Sequence, residues 1–442
     1  MSIWPLVSTE QVAAKVKNAL VGGPFGSDLV SKDYVAKGIP VVRGQNMSLG
    51  RWVGGDFVFV SEDKAESLKA NLAYPGDLIF TQRGTLGQVA LIPDSPYEKY
   101  LISQSQMKLA VNPEIANAKF LYYQFSSEAQ QSYIQDHAIS AGVPHTNLSI
   151  LRNTPILLPP LEVQCRIAAI LGSLDDKIEL NRRMNETLEA MAQALFQSWF
   201  VDFDPVRVKA RGGDPVVELG LSPQVAALFP DSFQNSGLGN IPSQWKFGSW
   251  LELGDLLSGG TPKTEITDYW NGDIPWVSAK DISQVSSCFI DATERSITKR
   301  GLDESSTKII PELATIIIAR GATTGRLAMI GKPMAMNQTC YALNSKIDTP
   351  YHLYCALKYG MTTLTSAAHG SIFDTITTTT FQNSLVVCPD PRVAIKFDEV
   401  VSVLFDRILL NLRETARIIE TRDYLLPRLL SGEVSVQEGG LS

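Results

Sequence analysis

Cysteine is scarce and unpaired in this sequence. Cys165, Cys288, Cys340, Cys355 and Cys388 are scattered, odd in number and never spaced as Cys-x-x-Cys. That pattern speaks against a disulfide framework or a zinc ribbon, and it suits a reducing compartment. The four histidines, His137, His145, His352 and His369, have neither His-Glu-x-x-His nor His-x-Glu spacing, so no metal-ligand pattern can be read from them. A Gly-x-x-x-x-Gly-Lys-Ser/Thr phosphate loop is missing, which argues against an ATP-driven motor in this chain. Gly22-Gly-Pro-Phe-Gly26 and Ser258-Gly-Gly-Thr-Pro262 are glycine-rich, but they carry no lysine and read as turns. Gly237-Leu-Gly-Asn-Ile-Pro242 lacks the third glycine of a dinucleotide fingerprint, and no Gly-x-Ser-x-Gly elbow or Asp/Asn-Pro-Pro-Tyr segment occurs. No apolar run approaches the roughly 18 residues of a membrane span. The start, Met1-Ser-Ile-Trp-Pro5, has no signal-peptide pattern. The expectation is a cytoplasmic chain, away from membranes, that catalyses nothing itself.

Basic excess is also missing. Over 442 residues, 39 Lys and Arg face 46 Asp and Glu, for a net charge of −7. The isoelectric point near 5.3 is far from the value above about 9 that marks a simple nucleic-acid binder. The deficit is uneven. Residues 1–160 hold 13 basic and 13 acidic side chains, whereas residues 161–205 hold 4 against 8. With 44% apolar and 19% charged residues, the chain has ample material for ordinary cores, and its length calls for two or more compact units.

The chain is written twice. Leu78-Ile-Phe-Thr-Gln-Arg-Gly84, followed by Gly87 and Gln-Val-Ala90, is answered by Thr315-Ile-Ile-Ile-Ala-Arg-Gly321, followed by Gly325 and Arg-Leu-Ala328. Gly38-Ile-Pro-Val-Val-Arg43 is answered by Asp273-Ile-Pro-Trp-Val-Ser278, and Phe120-Leu-Tyr-Tyr123 by Tyr351-His-Leu-Tyr354. Order is kept throughout, as in a duplicated unit. Each unit opens with short β-branched runs between Gly and Pro punctuation (Ile39 to Val42, Leu78 to Thr81, Ile156 to Leu158; Ile316 to Ile318, Ser384 to Val387). Residues 114–136 read as helical, which makes an α+β lobe of about 150 residues.

Each unit closes on a long helix. Ile167, Leu171, Leu174, Ile178, Asn181, Asn185, Leu188, Ala192, Leu195 and Trp199 alternate in steps of four and three, the seam of a coiled coil. Adding 230 lands on Phe397, Val401, Leu404, Ile408, Asn411, Thr415, Ile418, Arg422, Leu425 and Leu429. Polar Asn181 and Asn411 fall in the same slot, where a buried polar residue can fix register. The matched seams are expected to pair with each other as an antiparallel coiled coil about 50 Å long. Residues 205–245, rich in Gly and Pro, read as an ordered connector with one short helix near Ser222 to Phe229.

Leu157-Leu-Pro-Pro-Leu-Glu-Val-Gln164 and Asn181-Arg-Arg-Met-Asn-Glu-Thr-Leu-Glu-Ala-Met-Ala-Gln-Ala-Leu-Phe-Gln-Ser-Trp-Phe-Val-Asp-Phe-Asp-Pro205 resemble the central region of the DNA-specificity (S) subunit of type I restriction-modification enzymes. Leu228-Phe-Pro-Asp231, Gly239-Asn-Ile-Pro-Ser-Gln-Trp245, Leu253-Gly-Asp255, Gly23-Pro-Phe-Gly-Ser-Asp28 and Gly259-Gly-Thr-Pro262 extend the resemblance over essentially the whole chain. Val387-Cys-Pro-Asp-Pro391 departs from it, lacking Pro-Pro-Leu and the following Gln. The resemblance implies an α+β fold of two similar target recognition domains separated by two long helices. The boundaries are then 1–160 for the first recognition domain, 161–205 for the first spacer helix and 206–245 for the connector. The second recognition domain takes 246–390, and the second spacer helix with its tail takes 391–442. Each lobe would bind half of a split double-stranded DNA target, while the helices set the spacing and dock two methyltransferase subunits. Those subunits would carry S-adenosylmethionine and modify adenine. A separate restriction and translocase subunit would use ATP, with magnesium also held on the partners and no cofactor in this chain. The rival reading is a protein scaffold with duplicated adaptor lobes and no DNA binding.

Candidate DNA contacts are polar residues at strand ends and glycine loops, where side chains can reach base edges or phosphate. In the first lobe these are Arg43, Gln45, Asn46, Arg83, Thr85, His145 and Asn147; in the second, Ser278, Lys280, Arg320, Thr323, Thr324 and Arg326. Arg83 and Arg320 recur at one repeat position. A residue shared by lobes that read different sequences suits phosphate or structure better than base reading.

Overall fold

The computed structural model describes residues 4–47, 50–139, 144–236, 239–368, 375–437 and 440–441; His369 and the Gly237–Leu238 step lie outside the described residues. The chain forms two compact units. One comprises residues 1–178 with 417–442, the other residues 179–416. Both long helices therefore contribute one end to each unit.

In the first unit, a four-stranded antiparallel sheet runs in the order Leu20–Gly22, Gln106–Leu109, Leu78–Thr81, Val89–Leu91. Beside it lies a five-stranded mixed sheet whose parallel pair is Ile39–Val42 with Tyr100–Ile102. Leu78–Thr81 is buried at every position, so it reads as a continuous hydrophobic run rather than an alternating one. The N-terminal strand Leu6–Ser8 pairs with Pro155–Leu157 and closes the lobe just ahead of the long helix.

The second unit repeats this order. Gly254–Ser258, Cys340–Ser345, Thr315–Ile318 and Leu327–Ile330 stand in the same sequence, with Phe289–Ile290 added at the edge. The mixed sheet again holds one parallel pair, Trp270–Val277 with Met334–Met336. Strand Lys246–Ser249 pairs with Leu385–Cys388 to close this lobe. The internal duplication is thus one of topology as well as motif.

The long helices are Leu161–Phe196 and Pro391–Ser431. Every seam position predicted from the 230-residue match is buried or half-buried. In the first unit the helices meet antiparallel. Arg422 Nη1 donates to Asp175 Oδ1 at 2.9 Å and Arg166 Nη1 reaches the Val436 carbonyl at 3.4 Å, while Ile167, Leu171, Leu429 and Leu430 share a core. In the second unit the polar slots cross. Asn181 Nδ2 donates to Thr415 Oγ1 (3.2 Å), and Asn411 Nδ2 donates to Asn185 Oδ1 (2.8 Å). Adding 230 converts Asn181 into Asn411 and Asn185 into the Thr415 position. The two bonds are therefore one interaction seen twice, as a two-fold-related pair requires.

The first helix widens into a π turn at Gln197–Val201 and stops at Phe203, whose φ of 54° is left-handed. Trp199, Phe200, Phe203 and Trp245 converge there, with Phe200 stacked on Trp245 at 5.9 Å and Phe203 edge-on to it at 5.8 Å. This gives the Trp-Phe-Val-Asp-Phe-Asp-Pro run its physical role as the aromatic seat of the connector. The connector holds three short helices rather than one: Asp204–Ala210, Pro215–Leu219 and Pro223–Leu228. Each carries proline in its first turn, where the missing N–H costs nothing, so the connector's prolines serve as helix starts.

Candidate nucleic-acid interface

Five strand-end loops gather at one end of the first lobe, and the backbone ties them together. Gln82 N donates to the Ser105 carbonyl (2.7 Å) and Thr146 N to the Gln82 carbonyl (3.0 Å). Ser103 N donates to the Val42 carbonyl (3.0 Å) and Gly23 N to the Gln106 carbonyl (2.8 Å). The second lobe uses the same ties. Ala319 N donates to Thr339, Ile376 N to Ala319 and Asn337 N to Val277, at 2.9, 3.0 and 3.0 Å. Gln82 thus corresponds to Ala319, and Arg83 to Arg320. The glycines that follow take the same backbone shape: Gly84 and Gly321 have φ of 99° and 102°, Gly87 and Gly325 have 85° and 90°. Only glycine adopts that shape readily, so each arginine stands on a sharp, fixed loop.

The candidate residues divide by what holds them. Arg83, Thr85 and Arg320 are exposed on these loops, and Thr323 is half-buried beside them. Gln45 is exposed, its amide 3.3 Å from the Asp56 carbonyl. Arg43 is half-buried at the end of its strand, and His145 is half-buried in a backbone pair with Ile139. The others are engaged within the lobe. Asn46 is buried, with its oxygen accepting from Arg43 N and its nitrogen donating to the Gly54 and Asp56 carbonyls at 3.0 and 2.9 Å. Asn147 caps the helix Leu148–Asn153 by accepting from Ile150 N at 2.9 Å. Ser278 caps Ala279–Gln284 and shares a capping box with Asp281. Lys280 pairs with Glu294 at 2.5 Å, Thr324 donates to the Gly321 carbonyl at 2.7 Å, and Arg326 donates to the Ser283 carbonyl.

A buried charge cluster, outside the residues singled out by pattern, lies where the first lobe meets its helices. Arg51, with a side chain 4% exposed, donates to Tyr123 Oη at 2.9 Å, to the Gly172 carbonyl at 3.4 Å and to Asp176. Tyr123 in turn donates to Asp175 Oδ2 at 2.6 Å, and Asp175 accepts from Arg422. Burial, and then the Asp175 carboxylate, push the Tyr123 hydroxyl far above its ordinary range, so it stays a donor. Gly172 makes room for the cluster, because a Cβ there would sit 3.3 Å from the guanidinium. A glycine inside an otherwise regular helix was the one available signal. In the second lobe the corresponding tyrosine, Tyr354, donates to Glu189 Oε1 at 2.5 Å, and Lys358 also reaches that carboxylate.

The departure at the second hinge has a structural counterpart. Gln164, fully buried, accepts from Asn117 N at 2.9 Å and donates to the Pro159 and Ile115 carbonyls, tying hinge to helix in the first lobe. In the second, Asp398 accepts from the N–H groups of Tyr351 (2.9 Å) and His352 (2.7 Å) at a helix start. Burial outweighs those bonds and raises the Asp398 carboxyl from 3.8 to about 7, while burial lowers His352 to about 4.

Among the described residues, no cluster of three or more His, Cys, Asp or Glu side chains could hold a metal ion. No described helix is long and apolar enough to cross a membrane.

Comparison with known proteins agrees with this architecture. The family described as "Type I restriction modification DNA specificity domain" matches residues 29–190 and 242–391. The chain is 29% identical over 403 residues to the HindI type I restriction enzyme specificity subunit of Haemophilus influenzae, covering 81% of this chain and 86% of that one. It is 24% identical over 434 residues to the MjaIX specificity subunit of Methanocaldococcus jannaschii, covering 95% and 92%. The crystal structure of the type I restriction-modification S subunit from M. genitalium shares the fold, with a TM-score of 0.58 at 16% identity over 97% and 96% of the two chains. With both lobes matched, the chain belongs to the DNA-specificity subunits of type I restriction-modification systems.

Proposed function

We propose that each lobe reads one half of a bipartite double-stranded DNA target, and that the paired helices set the distance between the halves. The observation that carries this is the recurrence, in both lobes, of one lattice of loop hydrogen bonds with an exposed arginine on the same left-handed glycine turn. Arg83 and Arg320, common to both lobes, grip phosphate. Arg43, Gln45, Thr85, His145 and Thr323, which differ between lobes, are placed for base edges. Asn46, Asn147, Ser278, Lys280, Thr324 and Arg326 support the reading surface by shaping its loops.

The chain works as a non-catalytic recognition subunit. Two methyltransferase subunits dock along the helices, whose first segment carries much of the acidic excess. They supply S-adenosylmethionine and modify adenine, and an ATP- and magnesium-dependent restriction and translocase subunit completes the assembly in the cytoplasm. A lobe with balanced charge has little electrostatic grip of its own. The isolated chain therefore binds DNA weakly, and the assembly binds tightly. Band-shift titrations of the chain, alone and with methyltransferase subunits, on DNA carrying split sites test this. Arg43→Ala is expected to relax sequence preference at one half-site only. Sequence-independent or absent binding by the full assembly would favour a protein scaffold instead.

A further inference from the structure

Phe25 is 84% exposed, more than any other large hydrophobic residue among those described. It does not sit on a loose tip. Gly23 packs so closely that a Cβ there would lie 2.0 Å from the Ser103 carbonyl oxygen. Gln104 Nε2 donates to the carbonyls of Gly26 (2.9 Å) and Leu29 (2.5 Å), clamping the turn from its far side. Ser103 and Gly23 also belong to the loop lattice of the candidate interface, so the ring stands beside the reading loops. The second lobe builds the same turn. Gly259 abuts the Asn337 carbonyl as Gly23 abuts that of Ser103, and Gln338, at the Gln104 position, contacts Thr261. Phe25 and Thr261 thus occupy one slot. The Thr261 hydroxyl is engaged by Gln338, which leaves its methyl as the remaining group.

A phenyl ring and a threonine methyl share one use in DNA reading, which is packing on the 5-methyl group of thymine in the major groove. Wedging a base step apart needs bulk that threonine lacks. We propose that Phe25 is a specificity-determining residue that packs on a thymine methyl in the half-target of the first lobe. This rests on the DNA-reading function proposed above.

The test uses the assembled complex and its own target, with each thymine of the half-targets replaced in turn by deoxyuridine. Wild type is expected to lose about fourfold in affinity at one thymine of the first half, the factor one buried methyl group supplies. Phe25→Ala should bind the normal target about as wild type binds that substituted one, and should ignore the substitution. Phe25→Leu, apolar but not aromatic, should keep part of the sensitivity. Melting of each variant confirms the fold, which an exposed side chain does not support. The proposal is overturned if Phe25→Ala keeps full methyl sensitivity, if no thymine of the first half responds, or if Phe25→Leu behaves as Phe25→Ala. Loss of all sequence preference by the wild-type assembly would instead refute the DNA-reading function itself.

Discussion

The two lobes share strand order, loop ties and glycine turns, yet they fasten to their helices by different chemistry. The first uses charge: Arg51, buried, gathers Tyr123, the Gly172 carbonyl and Asp176, and Asp175 links onward to Arg422. The second also ties charge across, with Tyr354 and Lys358 on Glu189 and Arg413 on Asp291, but it adds a broad aromatic seat: Trp199 and His352 both pack on Phe200, Phe397 joins them, and Phe405 stacks on Tyr351 at 4.6 Å. The two halves have kept one lattice of loop ties and glycine turns while the contacts that anchor each lobe have changed.

The largest test of that contrast is Trp199→Ala. Removing a fully packed indole is expected to cost about 3–5 kcal/mol. Protease mapping should show residues 179–416 opening first while the first unit stays protected; equal opening of both would contradict separate anchoring. Arg51→Met should cost less, about 2–3 kcal/mol, because Asp175 keeps Arg422 when the buried guanidinium is lost. Denaturant unfolding should place that loss in the first unit. Next come the shared arginines. Arg83→Ala and Arg320→Ala should each lower affinity about equally on all sequences and reduce the salt slope of binding by about one. A change confined to one base position would mark the residue as a base reader instead.

A contrast of sign within the second unit concerns pH. Between about 4 and 7, folded Asp398 holds a proton that the unfolded chain has released. Its contribution to stability is full below about 4 and is lost as pH rises through 7. His352 acts in the opposite sense, losing its contribution as pH falls from 6.5 through about 4. Asp398→Asn removes only the first of these. Its stability relative to wild type should therefore improve steadily from pH 4 to 7, and a pH-independent difference would contradict the buried, protonatable carboxyl.

The elements legible in the sequence were those set by local pattern. Ile39 to Val42, Leu78 to Thr81 and both helical seams follow from short-range periodicity, and the structure forms them where predicted. The connector's extra helices are not legible in its Gly and Pro content, because proline breaks a helix interior but starts a helix well, and residue type alone does not tell the two positions apart. Arg51 was invisible because its partners lie 72 to 125 residues away. Asn46, Asn147 and Ser278 are polar residues at strand ends, which is also where turns and helix caps need them. Local chemistry marked the loops, whereas tertiary contacts decided which side chains within them are committed.

The central claim is that two lobes read two half-targets at a distance fixed by the helices. It is tested most directly by mapping modified adenines in host DNA for the wild-type chain and for a variant lacking one heptad from both helices. The account predicts a two-part motif with a constant unspecified spacer, and in the variant the same two halves at a changed spacing. A continuous motif, or an unchanged spacer after the deletion, would contradict it.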